Sequence, residues 1–196
     1  MKREKGQRKA RRLPEILTGE EQTRLLEQPN PECKTGLRNL CMIRIMLNIG
    51  LRASEVIFLK VKHIDWMSGK VYVRQGKGNK DRVLWLGEED LELLRQWREV
   101  KPESEYLFTT LKGDTLNDRY LRAMVKRIGE QAGISKDVHP HMLRHTFATD
   151  LYRETKDIRL VQKALGHSDL STTMIYTHIV DEELEQALKF FRRQAA

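Results

Sequence analysis

The chain is poor in cysteine, with Cys33 and Cys41 alone, and neither sits in a C-x-x-C pair. A disulfide or a cysteine-zinc site is therefore not expected, and the thiol count fits a reducing compartment. No apolar run approaches the roughly 18 residues of a membrane span. The N-terminus is basic and lacks the apolar stretch of a signal peptide. These absences lead us to expect a soluble, cytoplasmic protein with no membrane partner. The G-x-x-x-x-G-K-[ST] spacing of a phosphate-binding loop is also missing, which removes the Walker-type nucleotide hydrolases. No internal repeat is visible, and only the first dozen residues are compositionally biased.

What is present begins with positive charge. The net charge is +8 over 196 residues, enough chain for one domain with a substantial core and too little for two of ordinary size. Lys2, Arg3, Lys5, Arg8, Lys9, Arg11 and Arg12 face only Glu4 within residues 1–12, so +6 of the +8 lies in this tail. The tail is expected to be flexible and to contact a polyanion, and the remainder is close to neutral. A solvated end that merely aids solubility is the plain alternative, so bulk charge alone does not establish nucleic-acid binding.

The apolar periodicity is mainly helical. Thr18 and Glu21 have the spacing of a capping box opening a helix to about residue 28, ended by Pro29-Asn30-Pro31. Residues 35–49 are apolar nearly all round, which predicts a central buried helix closed by Gly50. A shorter helix is expected over 53–59. The pattern then changes to short alternating runs at 70–74 and 82–86 around Gly76-Lys77-Gly78-Asn79, a hairpin in a small antiparallel sheet. Helical stripes return with Leu91, Leu94 and Trp97, and again with Leu121, Met124, Val125 and Ile128. Pro140 at a first helical position starts the helix carrying His141 and Arg144. Further helices are expected over 157–165, stopped by Gly166, and over 170–177. A last amphipathic helix over 181–193 carries Leu184, Ala187, Leu188 and Phe191. The fold class is thus α+β, mainly helical, with a small antiparallel β-sheet.

Several residues within this pattern carry chemistry. His141 and Arg144 stand three apart and share one helix face, so both can reach one phosphate. Arginine offers a planar fork to two oxygens, and histidine can donate or move a proton. Arg52 follows Gly50-Leu51 at a helix boundary, where it can equally pair with Glu55 or cap the helix. Lys77 sits at a glycine-flanked tip and can swing over a ligand. His167 follows Gly166 at a helix C-terminus, a position that favours a charged imidazole. Tyr176, between Ile175 and Thr177, would by itself be an ordinary half-buried aromatic. Each signal is weak in isolation. Together they supply a nucleophile, positive charge and proton-transfer groups, which is what attack on a phosphodiester without a metal requires.

The runs Gly50-Leu51-Arg52-Ala53-Ser54-Glu55, Gly76-Lys77-Gly78-Asn79-Lys80, His141-Met142-Leu143-Arg144-His145 and His167-Ser168-Asp169 through Tyr176-Thr177-His178 resemble the catalytic domain of the tyrosine site-specific recombinases, the phage integrase family. The likeness extends from about residue 13 to 191. It implies a site-specific recombinase that cleaves and rejoins DNA strands through a 3′-phosphotyrosyl intermediate. In that scheme Arg52, His141 and Arg144 bind the scissile phosphate, Lys77 is the general acid toward the leaving 5′ oxygen, His167 supports the phosphate, and Tyr176 is the nucleophile. No cofactor or metal is expected. Lys80 and Arg82, beside the hairpin tip, are expected on DNA with the tail. The resemblance also implies double-stranded DNA as partner and a homotetramer on two duplexes, joined through the 181–193 helix.

Family members carry an N-terminal helical core-binding domain of about a hundred residues, and only a basic tail stands before the first helix here. The expected organisation is therefore a tail at 1–12 and a catalytic domain at 13–196 without a core-binding domain, belonging either to a short, catalytic-domain-only member or to a fragment of a longer protein. Rival readings are a type IB topoisomerase, against which the terminal helix speaks, and a DNA-binding protein that keeps the fold without the chemistry. A metal-dependent nickase, suggested by His139-Pro140-His141 and the i, i+4 spacing of His141 and His145, is disfavoured because Pro140 marks a helix start.

Overall fold

A computed structural model describes residues 14–74, 81–167 and 170–177. Lys77, Lys80, the basic tail at 1–12 and the expected helix at 181–193 lie outside the described residues. Seven α-helices and one hairpin are described: α1 (Gly19–Glu27), α2 (Lys34–Asn48), α3 (Ala53–Ile57), β1 (Lys70–Val73), β2 (Arg82–Trp85), α4 (Glu88–Val100), α5 (Asp118–Gln131), α6 (Pro140–Thr155) and α7 (Ile158–Leu165). β1 and β2 pair antiparallel, with Tyr72 opposite Val83. The mainly helical α+β architecture expected from periodicity is the one observed.

Local chemistry accounts for the boundaries. Thr18 accepts from the Glu21 amide while the Glu21 carboxylate accepts from the Thr18 amide, so the capping box starts α1 as expected. His139 Nδ1 accepts from the Met142 amide and Pro140 fills the first turn of α6. That residue is thereby spent on a helix cap, contrary to what a His-x-His metal site would need. Asp157 caps α7 by accepting from Arg159 and Leu160. Gly166 ends the same helix with a φ of 64°. The 170–177 segment departs from the single helix expected. It forms a short 3₁₀ turn over Leu170–Thr172 and becomes helical again only at 175–177.

Helix α2 is central, packed against α4 on one side and α6 on the other. Its Cys41, Met42, Ile43, Ile45 and Met46 are buried together with Leu91, Leu94 and Trp97 of α4 and Leu121, Met124 and Val125 of α5. A second, smaller apolar cluster lies between α6 and α7, built from Ala148, Val161, Leu165 and Tyr176, with Ile16 and Phe147 at its edge. The main core fixes where α6 stands. The smaller one seats the tyrosine.

Candidate active site

Arg144 projects from the first turns of α6 into the angle between the end of α2 and the end of α7. Its Nη1 donates to the Gly50 carbonyl at 2.5 Å and its Nη2 to the Leu165 carbonyl at 2.6 Å. Gly50 suits this turn for two reasons: its φ is +64°, and a Cβ there would lie 2.2 Å from Phe147 Cδ1. A backbone that only glycine tolerates comfortably therefore presents the carbonyl that aims the arginine. The Arg144 side chain is 6% exposed. Burial lowers its pKa to about 9, with repulsion from Arg52 and Arg82 adding to the effect and Glu55 opposing it.

Glu55 is the acidic hub of this corner. Both its oxygens bind Arg82, at 2.9 and 2.8 Å. It also accepts from Arg52 Nη1 at 2.8 Å and from the Arg52 amide at 2.7 Å, and Arg144 Nη1 lies 3.8 Å away. Burial acts to raise the Glu55 pKa, but Arg82 foremost, with the Arg52 amide and Arg144, brings it down to about 2. Three guanidinium groups thus converge on one carboxylate, leaving positive charge in excess for an oxyanion to complete. Arg52 has both the roles open to it in the sequence, since it pairs with Glu55 and opens α3, while its side chain stays 27% exposed at the cluster's outer side.

Arg82, expected on DNA, is placed inside this corner. The side chain is buried, bidentate to Glu55, with its Nε donating to the Ala164 carbonyl at 2.8 Å. It braces Glu55 and ties β2 to α7. Its place in a hairpin strand signalled exposure, but the inward face of that strand is the one it occupies.

His167 follows Gly166 out of α7. Its Nε2 lies 3.4 Å from Arg144 Nη2, and its Nδ1 is 3.0 Å from Thr173 Oγ1 and 3.1 Å from Thr172 Oγ1. The charged imidazole expected at a helix C-terminus is not favoured. Burial first, then Arg144, Arg52 and Arg82, lower its pKa to about 4. A neutral ring held by two threonines is what this environment selects.

His141 stands exposed in the first turn of α6, one turn before Arg144. Partial burial and the neighbouring Arg122, His139 and Arg144 lower its pKa. Tyr176 is 1% exposed, and burial raises its pKa to about 12, with Arg144 opposing. Its hydroxyl lies 2.9 Å from Nδ1 of His145, the residue after Arg144. Arg52, Arg144, His167 and Tyr176 are therefore brought to one corner, and His141 stands on the helix that borders it. Sequence reasoning missed the parts of Glu55 and His145. Glu55 was visible only as a partner for Arg52, and His145 only as the second half of a metal spacing. Its adjacency to Arg144 was the available signal.

Fold and site define a class: a mainly helical domain that presents a buried tyrosine to an arginine- and histidine-lined corner. Residues 15–183 match the phage integrase family model, and the chain belongs to that family. Over 171 residues it is 39% identical to tyrosine recombinase XerC of Xanthomonas axonopodis pv. citri (strain 306), covering 86% of this chain and 55% of that protein. Over 192 residues it is 35% identical to tyrosine recombinase XerD of Staphylococcus aureus (strain Mu50 / ATCC 700699), covering 94% and 65%. The chain thus spans between about half and two thirds of these relatives' lengths. Among solved structures it resembles XerA recombinase, with a TM-score of 0.80 and 32% identity over 93% of this chain and 67% of that one. It also resembles the XerH site-specific recombinase in a post-cleavage complex with palindromic difH substrate, with a TM-score of 0.79 and 37% identity over 92% and 54%.

Proposed function

We propose that this chain carries the chemistry of a DNA strand transferase, cleaving and rejoining DNA at a specific site by transesterification. The observation that carries the proposal is the convergence of Arg52 and Arg144 on one excess-positive corner beside the hydroxyl of Tyr176. The scissile phosphate takes the place of the missing counter-charge, held by Arg52, Arg144, His141 and His167. Tyr176 attacks phosphorus, forming a 3′-phosphotyrosyl bond as the bond to the 5′ oxygen breaks. Lys77, in the segment between β1 and β2, protonates that leaving oxygen. Attack by a 5′-hydroxyl of a partner strand then reverses the chemistry and reseals the join. One phosphoester replaces another at each step, so no ATP is consumed. Arginine cations fixed in advance meet the charge that develops on the pentacoordinate phosphorus, and each such donor typically contributes about 3 to 4 kcal/mol.

The wider assembly belongs to the same proposal. Double-stranded DNA is the substrate, with the tail at 1–12 and Lys80 adding backbone contacts. The 181–193 segment, whose Leu184, Ala187, Leu188 and Phe191 form an apolar stripe, docks on a neighbouring copy, and closure of that head-to-tail contact makes a homotetramer on two duplexes. Such a protein works in the cytoplasm, at the nucleoid. Among the described residues no helix is long and apolar enough to cross a membrane.

The proposal is tested by incubating the protein with DNA flanking its gene and mapping protein-linked ends in excess EDTA. Discrete 3′-linked adducts that survive the chelator are expected, because arginine, lysine and histidine supply the charge that a cation would otherwise bring. Strict dependence on Mg²⁺ or Mn²⁺ would contradict the reading.

A further inference from the structure

The scheme above leaves the phenol proton of Tyr176 without a destination. His145 Nδ1 lies 2.9 Å from the hydroxyl, and the two rings are 5.8 Å apart between centroids with a tilt of 50°. Both partners are fixed from outside the pair. His145 directly follows Arg144, whose guanidinium is anchored on the Gly50 and Leu165 carbonyls. Tyr176 is packed with Ala148, Val161 and Leu165, and its amide donates to the Thr173 carbonyl at 3.1 Å. With Tyr176 1% exposed, a proton leaving the phenol needs an acceptor within the protein. Among the described residues, His145 is the acceptor in reach.

We propose that His145 is a catalytic residue of this reaction, the base that takes the phenol proton from Tyr176 as its oxygen bonds to phosphorus and returns that proton on rejoining. The inference rests on the reading of Tyr176 as nucleophile toward a phosphodiester. In the forward step the Tyr176 O–P bond forms and the bond from phosphorus to the 5′ oxygen breaks. The phenol proton passes to Nδ1, leaving His145 an imidazolium, and the 5′ oxygen takes its proton from Lys77. In the return step the attacking 5′-hydroxyl gives its proton back to Lys77, and His145 reprotonates the departing phenolate. Atoms and charges balance without an external reactant.

The groups around His145 keep the ring neutral until substrate arrives. On its own helix it faces His139, His141 and Arg144; from the end of α7 it is opposed by His167, and across the pocket by Tyr176. Burial first, then His141, Arg144 and His139, lower its pKa to about 4, so at neutral pH the ring is uncharged and one nitrogen carries a free lone pair. A bound phosphodiester anion acts in the opposite sense and raises its basicity when substrate is present. A purely structural hydrogen bond would need the geometry but not the basicity. That difference makes the two roles separable.

The test measures single-turnover formation of the covalent complex by the full chain on a nicked suicide duplex carrying the mapped site. His145→Asn keeps an amide oxygen near the Nδ1 position and so can hold the hydroxyl, but it cannot take the proton. It should bind DNA with unchanged affinity and cleave slower by about 10²-fold or more. His145→Gln is measured beside it, each variant checked by thermal melting, so that one poorly folded protein does not decide the matter. Replacing Tyr176 by a more acidic fluorinated tyrosine should then restore much of the rate in the His145 variants, because such a phenol ionises with less help. The wild-type rate should also fall at low pH as His145 becomes protonated, a limb that is missing in His145→Asn. Wild-type speed in the variants, or no recovery with the fluorinated nucleophile, overturns the assignment. Absence of any Tyr176 adduct with the unmodified protein overturns the nucleophile reading itself, and this one with it.

Discussion

Glu55 and the histidines show how single residues set the conditions under which this corner holds together. Glu55 is buried with Arg82 in a bidentate pair, and removing one partner of such a pair leaves an uncompensated charge that costs about 3 to 5 kcal/mol. His145 and His167 are held at about 4 against an ordinary 6.5. Because these folded-state values are depressed, the unfolded chain binds more protons between the two limits. The stabilisation is fully present above about 6.5 and is lost as pH falls through about 4. Glu55, held at about 2, adds a loss that begins below 4.5 and completes lower still. Thermal melts should therefore be flat from neutral pH down to the upper histidine limit and then fall by several degrees, with a smaller fall in His145→Asn. A melting temperature indifferent to pH over that window would show that these rings are not held neutral.

At the scale of elements, the corner depends on how α2, α6 and α7 end or begin. Gly50 is the test position, because its left-handed backbone and its contact with Phe147 both resist a side chain. Gly50→Ala should cost roughly 1–2 kcal/mol from the backbone alone, with more from the clash. The melting temperature should drop by at least about 2 °C, and cleavage should suffer beyond that loss because the carbonyl aiming Arg144 moves. Unchanged activity would detach the turn from the site. Much at this scale was legible beforehand. The Thr18 and Glu21 box, Pro140 in the first turn of α6 and the glycines closing α2 and α7 are local signals, and local signals survive folding. What sequence could not convey was which face of a strand turns inward. Arg82 lies on the buried face of β2, and only the approach of Glu55 and Ala164 from distant parts of the chain decides that. The pairing of His145 with Tyr176 is of the same kind, since it depends on α6 and the 175–177 segment meeting across the smaller cluster. The 170–177 segment followed its own turn chemistry in place of one helix, because His167 draws Thr172 and Thr173 toward it.

The described residues divide into a main apolar core and a smaller satellite cluster that holds Tyr176, the proposed nucleophile. This division explains how a tyrosine can be packed as tightly as a core residue and still stand beside the reactive corner. Charge is divided too, since +6 of the +8 lies in residues 1–12. If that tail contributes nonspecific affinity, deleting it should flatten the dependence of log K on log salt by up to about 0.9 per lost phosphate contact. An unchanged slope, read by titration of DNA binding across salt concentrations, would mean that the tail makes no phosphate contact.

The central claim is that Tyr176 is the covalent nucleophile. A nicked suicide duplex traps the covalent intermediate, because the short cleaved strand diffuses away before rejoining. Protease digestion and mass spectrometry of the trapped complex then identify the linked residue. The protein should yield DNA joined to the peptide containing Tyr176, and Tyr176→Phe should bind the same duplex with similar affinity while forming no adduct. A covalent complex that persists in Tyr176→Phe, or an adduct on any other residue, would contradict the account.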